Sequence, residues 1–144
     1  MPKLTQTVLL DAPRGLTEHE RAVLDFLLTS PLAHKELHTQ AQTTEVVARC
    51  DCGCRSVVLK PDPATPTATF SAHEVSIKGS PSEAVVYITA YGESQEGISV
   101  QVTLHVIGGR LDELEIWDGW LDLDGKSNGA VPDAATLSWD LPNQ

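Results

Sequence analysis

The sharpest pattern in the chain is the strict alternation over 98–106. Ile98, Val100, Val102, Leu104 and Val106 fall on one side, and Ser99, Gln101, Thr103 and His105 on the other. A period of two is that of a half-buried strand. Gly108-Gly109 follows, two residues that tolerate positive φ in succession, and predicts a tight hairpin into a strand over 110–117. A two-residue turn would set Leu104 against Glu113, yet Leu114 and Ile116 are the apolar positions of that strand. The conflict predicts a β-bulge, one extra residue at Asp112 or Glu113 that restores the parity. The run 83–91 is rich in β-branched and aromatic residues and reads as a strand covered on both faces. It is expected to form the central pair of a sheet with 97–107.

Helical periodicity is confined to 16–42. Thr17 and Glu20 have the spacing of a capping box. Val23, Leu24, Leu27 and Leu28 then recur on one side, with Phe26 at the margin. Ser30-Pro31 predicts the start of a second helix, Ser30 as N-cap and Pro31 in the first turn, with Ala33, Leu37 and Ala41 as its apolar stripe. Residues 1–15 show no period and read as a lead-in. The stretch 44–60 reads as a hairpin, with Val46, Ala48 and Cys50 sharing a face. Pro61, Pro63 and Pro66 make the next segment a surface loop. An edge strand is expected over 73–78, and Leu137 and Trp139 suggest a last short strand.

These elements predict an α+β fold: two N-terminal helices packed on an antiparallel sheet of five or six strands. The 144 residues suit one domain able to bury roughly 70% of its unfolded surface. Within it the reading places a lead-in over 1–15, a helical pair over 16–42, an antiparallel sheet over 44–117 and an acidic tail over 118–144.

All three cysteines lie in Cys50-Asp51-Cys52-Gly53-Cys54. Read as a hairpin, this has a three-residue loop, 51–53, with Gly53 at the positive-φ position. Cys50 and Cys54 would then be the flanking cross-strand pair, about 5 Å apart at Cβ. The thiolates are good ligands for zinc, which takes four in structural sites. His34 and His38, four apart on a helix, are the residues that could complete the set. Arg49 and Arg55 flank the turn and could lower a thiolate pKa, which favours thiol-redox chemistry. The third reading is structural, with Cys50 packing as a small hydrophobe. An odd cysteine count argues against a disulfide framework.

The segment Val46-Val47-Ala48-Arg49-Cys50-Asp51-Cys52-Gly53-Cys54-Arg55-Ser56 resembles a group of small uncharacterised bacterial proteins marked by a Cys-x-Cys-Gly-Cys turn. Gly108-Gly109-Arg110-Leu111 followed by Leu114-Glu115-Ile116 is similar to that group as well. The resemblance covers about two thirds of the chain and ends after Trp117. It implies a cytoplasmic bacterial domain and no particular catalysis.

Charge narrows the choice of partners. The net charge is −10, and the excess is one-sided. Residues 1–60 carry seven basic and seven acidic side chains, whereas 61–144 carry three and thirteen. Such a surface repels phosphate backbones and anionic lipid heads. Nucleic acid and membranes are therefore not expected as partners, and a protein with a basic surface is. Trp120, Asp122 and Asp124 are the candidate interaction residues, because tryptophan is enriched where proteins meet. Trp117 reads as core. The acidic tail fits no calcium loop, since no register supplies ligands at 1, 3 and 5 with Gly at 6 and Glu at 12. No Gly-x-Ser-x-Gly, phosphate loop or His-Glu-x-x-His occurs, so no catalytic residues are assigned. The apolar patch near the N-terminus is too short for a signal peptide, and a cytoplasmic location is expected. The sequence thus points to a small non-enzymatic binding protein, with an immunity-type inhibitor as one form of it. Its rival is a metal-binding or thiol-redox protein using Cys50, Cys52 and Cys54.

Overall fold

The computed structural model describes residues 7–51, 54–75, 84–118 and 129–141. In chain order these form β1 (Thr7–Arg14), α1 (Glu18–Leu27), α2 (Lys35–Thr43), β2 (Glu45–Cys50), β3 (Val57–Lys60), β4 (Val85–Glu93), β5 (Ser99–Ile107) and β6 (Arg110–Trp117). The six strands make one sheet in the order β1-β2-β3-β6-β5-β4, every neighbouring pair antiparallel. The class is α+β, and the helices lie between β1 and β2 in sequence.

The periodic elements form for the reasons their sequences give. Thr17 Oγ1 accepts from the Glu20 N–H at 3.1 Å, and Glu20 Oε1 accepts from the Thr17 N–H at 2.9 Å. This closes the capping box at the start of α1. Gly108 and Gly109 take φ of 58° and 77° and turn β5 into β6. His105 then faces Glu113 while Val106 faces Leu111, so Asp112 is the bulged residue. The bulge returns Leu114 to the core opposite Leu104. Val23, Leu24 and Leu27 of α1 and Leu37 and Ala41 of α2 join one buried cluster with Val86, Ile88, Val102, Leu104 and Leu114 of the sheet.

Several sequence expectations are corrected. The segment read as a lead-in contains β1, an edge strand paired with β2. It is exposed almost throughout, so there was no alternation to read. Ser30 does not cap α2. Its hydroxyl and carbonyl accept from the Leu32 and Ala33 N–H groups, closing a separate turn, and the helix begins at Lys35. β4 is the other edge strand rather than a central one, and its Tyr87 is 40% exposed. His73 and Glu74 sit in a turn, and the rest of the strand expected over 73–78 lies largely outside the described residues. The last strand reduces to a bridge in which Tyr91 and Ser138 exchange backbone hydrogen bonds of 2.8 Å, after a 3-10 turn over Ala134–Thr136.

One correction concerns the cysteines directly. The β2–β3 register shifts between Val46 and Ala48, so Val46 faces Leu59 but Ala48 faces Val58. Residues directly opposite share a face. Val58 in turn faces Glu113 on β6, so Ala48 and Cys50 belong to the face away from the helices. Both are buried, yet neither joins the cluster that contains Val46.

Candidate functional site

The face of the sheet turned away from α1 and α2 carries the side chains that could do chemistry. Three strands supply them through regular alternation: Tyr87 and Thr89 from β4, Gln101, Thr103 and His105 from β5, and Glu113, Glu115 and Trp117 from β6. The register sets Tyr87 opposite His105, Thr89 opposite Thr103, Thr103 opposite Glu115, and Gln101 opposite Trp117. All of these except Glu113 line an open cavity of about 260 Å³.

The Asp112 bulge determines this arrangement. It places Glu113 directly opposite His105 and brings Glu115 to the diagonal position. His105 Nε2 lies 2.8 Å from Glu115 Oε1. The Tyr87 ring stands edge-on to the imidazole, 5.0 Å between centroids and 88° between planes. Thr89 and Thr103 share a hydroxyl hydrogen bond of 3.0 Å, and Thr103 is buried on the cavity floor. Glu115 Oε2, the Trp117 indole N–H, the Gln101 amide and the Tyr87 hydroxyl make no hydrogen bond among the described residues. The site therefore holds two aromatic rings, an oriented His–Glu pair and free donors and acceptors. The hydroxyls that line it are those of Tyr87, Thr89 and Thr103, the two threonines being bonded to each other.

Trp117 is the clearest revision. Sequence reading placed it in the core beside Ile116; Ile116 is buried there and Trp117, one residue on, lies half-buried in the cavity on the opposite face. The signal was present in the alternation of 110–117, since neighbouring strand residues point to opposite faces. Tyr87 was missed because its strand was read as covered on both sides.

A second cavity, of about 230 Å³, lies at the start of α1 between Arg14, Glu20 and Arg55. Arg14 grips Glu20 with both terminal nitrogens, at 2.8 and 2.9 Å. Burial works to raise the Glu20 carboxyl, but the hydrogen bonds from Arg14 and Thr17 outweigh it and hold the group below its ordinary value. The same pairing raises Arg14. These charges are committed to each other and to the helix cap.

The cysteine turn is placed differently from its sequence reading. The ladder runs through Arg49–Val57, and the Cys50 N–H donates to Ser56 O at 3.3 Å. Cys50 is therefore aligned with Ser56, not with Cys54. Cys50 is buried and Cys54 half-buried, and neither forms a disulfide. Cys52 lies outside the described residues, as do Trp120, Asp122 and Asp124. His34 is the residue before α2 rather than part of it, with Nε2 3.1 Å from Glu74 and its ring 4.8 Å from Phe70. His38 is exposed on the helix. Among the described residues, no three His, Cys, Asp or Glu side chains come together as a metal-holding group. Nor is any helix long and apolar enough to cross a membrane.

No protein-family model, curated protein or solved structure matches the chain.

Proposed function

We propose that this protein is a non-enzymatic binding protein that captures a protein partner with a basic surface, an immunity-type inhibitor being one form of the role. The observation that carries the reading is the sheet face turned away from α1 and α2, where Tyr87, His105 and Trp117 stand beside Glu113 and Glu115 in a protein of net charge −10. Aromatic residues contribute most per residue to protein interfaces. Carboxylates around them select a basic partner and speed its approach. Trp120, Asp122 and Asp124, the interaction residues proposed from the sequence, lie outside the described residues.

The test is affinity capture from a bacterial lysate at low and high salt, followed by reconstitution with the purified partner. The expected result is a basic protein bound at low salt and released as screening rises. For the immunity form, the partner's own activity falls on binding. Recovery of nucleic acid or lipid alone, or of a partner held equally at high salt, overturns the reading.

A further inference from the structure

We infer that the cavity on this sheet face is a receptor for a single arginine side chain presented by the basic partner. The inference rests on the binding role proposed above and names the chemistry of its central contact.

Size is the first argument. Pockets for small organic ligands span about 300–1,000 Å³. At about 260 Å³ and open along one side, this one suits a side chain projected from a larger surface. Charge is the second. Glu115 is the one carboxylate that lines the cavity, and its neighbour there is the imidazole of His105. No lysine or arginine lines the cavity. Geometry is the third. His105 holds one Glu115 oxygen at 2.8 Å and leaves Oε2 without a partner among the described residues. That pair fixes the carboxylate so that its free oxygen can accept from a guanidinium. Gln101 adds an amide oxygen from the neighbouring strand, and the rings of Tyr87 and Trp117 offer π-faces. A guanidinium is planar and weakly hydrated, stacks on aromatic rings and donates in a fork. Lysine has the charge without the plane.

The experiment uses the full chain labelled with nitrogen-15 and three probes: N-acetyl-arginine amide, its neutral isostere N-acetyl-citrulline amide, and a methyl glucoside. The readout is the indole N–H resonance of Trp117, assigned with a Trp117→Phe variant among the three tryptophans. The expected result is a saturable shift with the arginine amide and binding of the citrulline amide weaker by about tenfold or more, as loss of a charge-assisted contact requires. The glucoside leaves the resonance in place. Glu115→Gln weakens the arginine amide by a similar factor while the backbone spectrum keeps its dispersion. Gln101→Ala gives a smaller loss and stands in should the first variant not fold. An unmoved Trp117 resonance overturns the inference, as does equal binding of citrulline or saturation by the glucoside. If arginine amide fails while a basic protein is still captured, the pocket assignment falls and the binding role stands. If arginine amide binds while no basic protein is recovered, the role falls instead.

Discussion

Gln40 and Leu111 are joined by a buried hydrogen bond, the side-chain Oε1 of Gln40 accepting from the Leu111 N–H at 2.9 Å across a separation of 71 residues. The same amide donates through Nε2 to Gly109 O at 2.9 Å and to Pro66 O at 2.8 Å. One fully buried side chain thus ties α2 to the proline-rich loop and to the β5–β6 turn. Gln40→Leu removes the side-chain partner of three backbone groups, of which Gly109 O keeps the Ala68 N–H, and is expected to cost about 3 kcal/mol. Gln40→Glu sets a carboxylate against two carbonyl oxygens, which raises its pKa in the folded state. The penalty is then full above that raised value and shrinks as the pH falls toward the unfolded value near 4.3. Chemical denaturation of both variants at pH 5 and pH 8 checks this: the gap between Glu and wild type must be smaller at pH 5.

Gly97 and Gly109 both have positive φ, 83° and 77°, but differ in surroundings. A Cβ at Gly97 meets open space, whereas one at Gly109 runs into the backbone carbonyl of Ala68. Gly97→Ala is expected to cost about 1 kcal/mol, the left-handed penalty alone. Gly109→Ala must also displace the Ala68 N–H bond to Gly109 O, 2.9 Å long, and should lower the melting temperature several-fold more.

The Arg14–Glu20 pair predicts part of the acid sensitivity. Hydrogen bonds from Arg14 and Thr17 depress the Glu20 pKa, against the opposing effect of burial. A depressed carboxylate adds stability above its unfolded pKa near 4.3, and that stability is lost as the pH falls through the lower folded value. Glu20→Ala removes the capping box and the ion pair, at about 1–2 kcal/mol near neutral pH. The difference from wild type should narrow below pH 4 in acid-unfolding curves. A constant difference would show that the charge is not responsible.

Cys50 is 7% exposed and Cys54 half-buried. Cys50→Ser places a hydroxyl where a small apolar group sat and is expected to cost about 1–2 kcal/mol, against under about 0.5 for Cys54→Ser. Thiol labelling of the native protein should follow the same order, with Cys50 the slower of the two.

Much of the fold was legible where a local rule decided it. The capping box of Thr17 and Glu20, the Gly108-Gly109 turn and the need for a bulge at Asp112 or Glu113 all follow from spacing within a few residues. What escaped depended on partners distant in sequence. β1 has no periodicity because, exposed almost throughout, it has no buried face to alternate against. The shift at Val47 flips Ala48 and Cys50 to the other face, and Val46-Val47-Ala48 reads equally well as an uninterrupted strand. The cavity was half legible: alternation set Gln101, Thr103 and His105 apart from the core. Only the register could bring Tyr87 and Trp117 beside them.

The join between β3 and β6 has a consequence for how the molecule comes apart. Only Val57–Leu114 and Val58–Glu113 are in register there, whereas β4, β5 and β6 are paired along most of their length. Ser56 extends the join with its side chain: Oγ accepts from the Ile116 N–H at 2.8 Å and donates to Ile116 O at 3.3 Å. The sheet is thus two three-stranded meanders sewn together by a short seam, with Gln40 clamping across it. The meander β4–β5–β6, built from contacts close in sequence, can form first and open last. Amides of β5 should therefore exchange with solvent most slowly and those of β1 fastest. Ser56→Ala should uncouple the two halves, so that β1, β2 and β3 exchange through an opening that leaves β4–β6 protected.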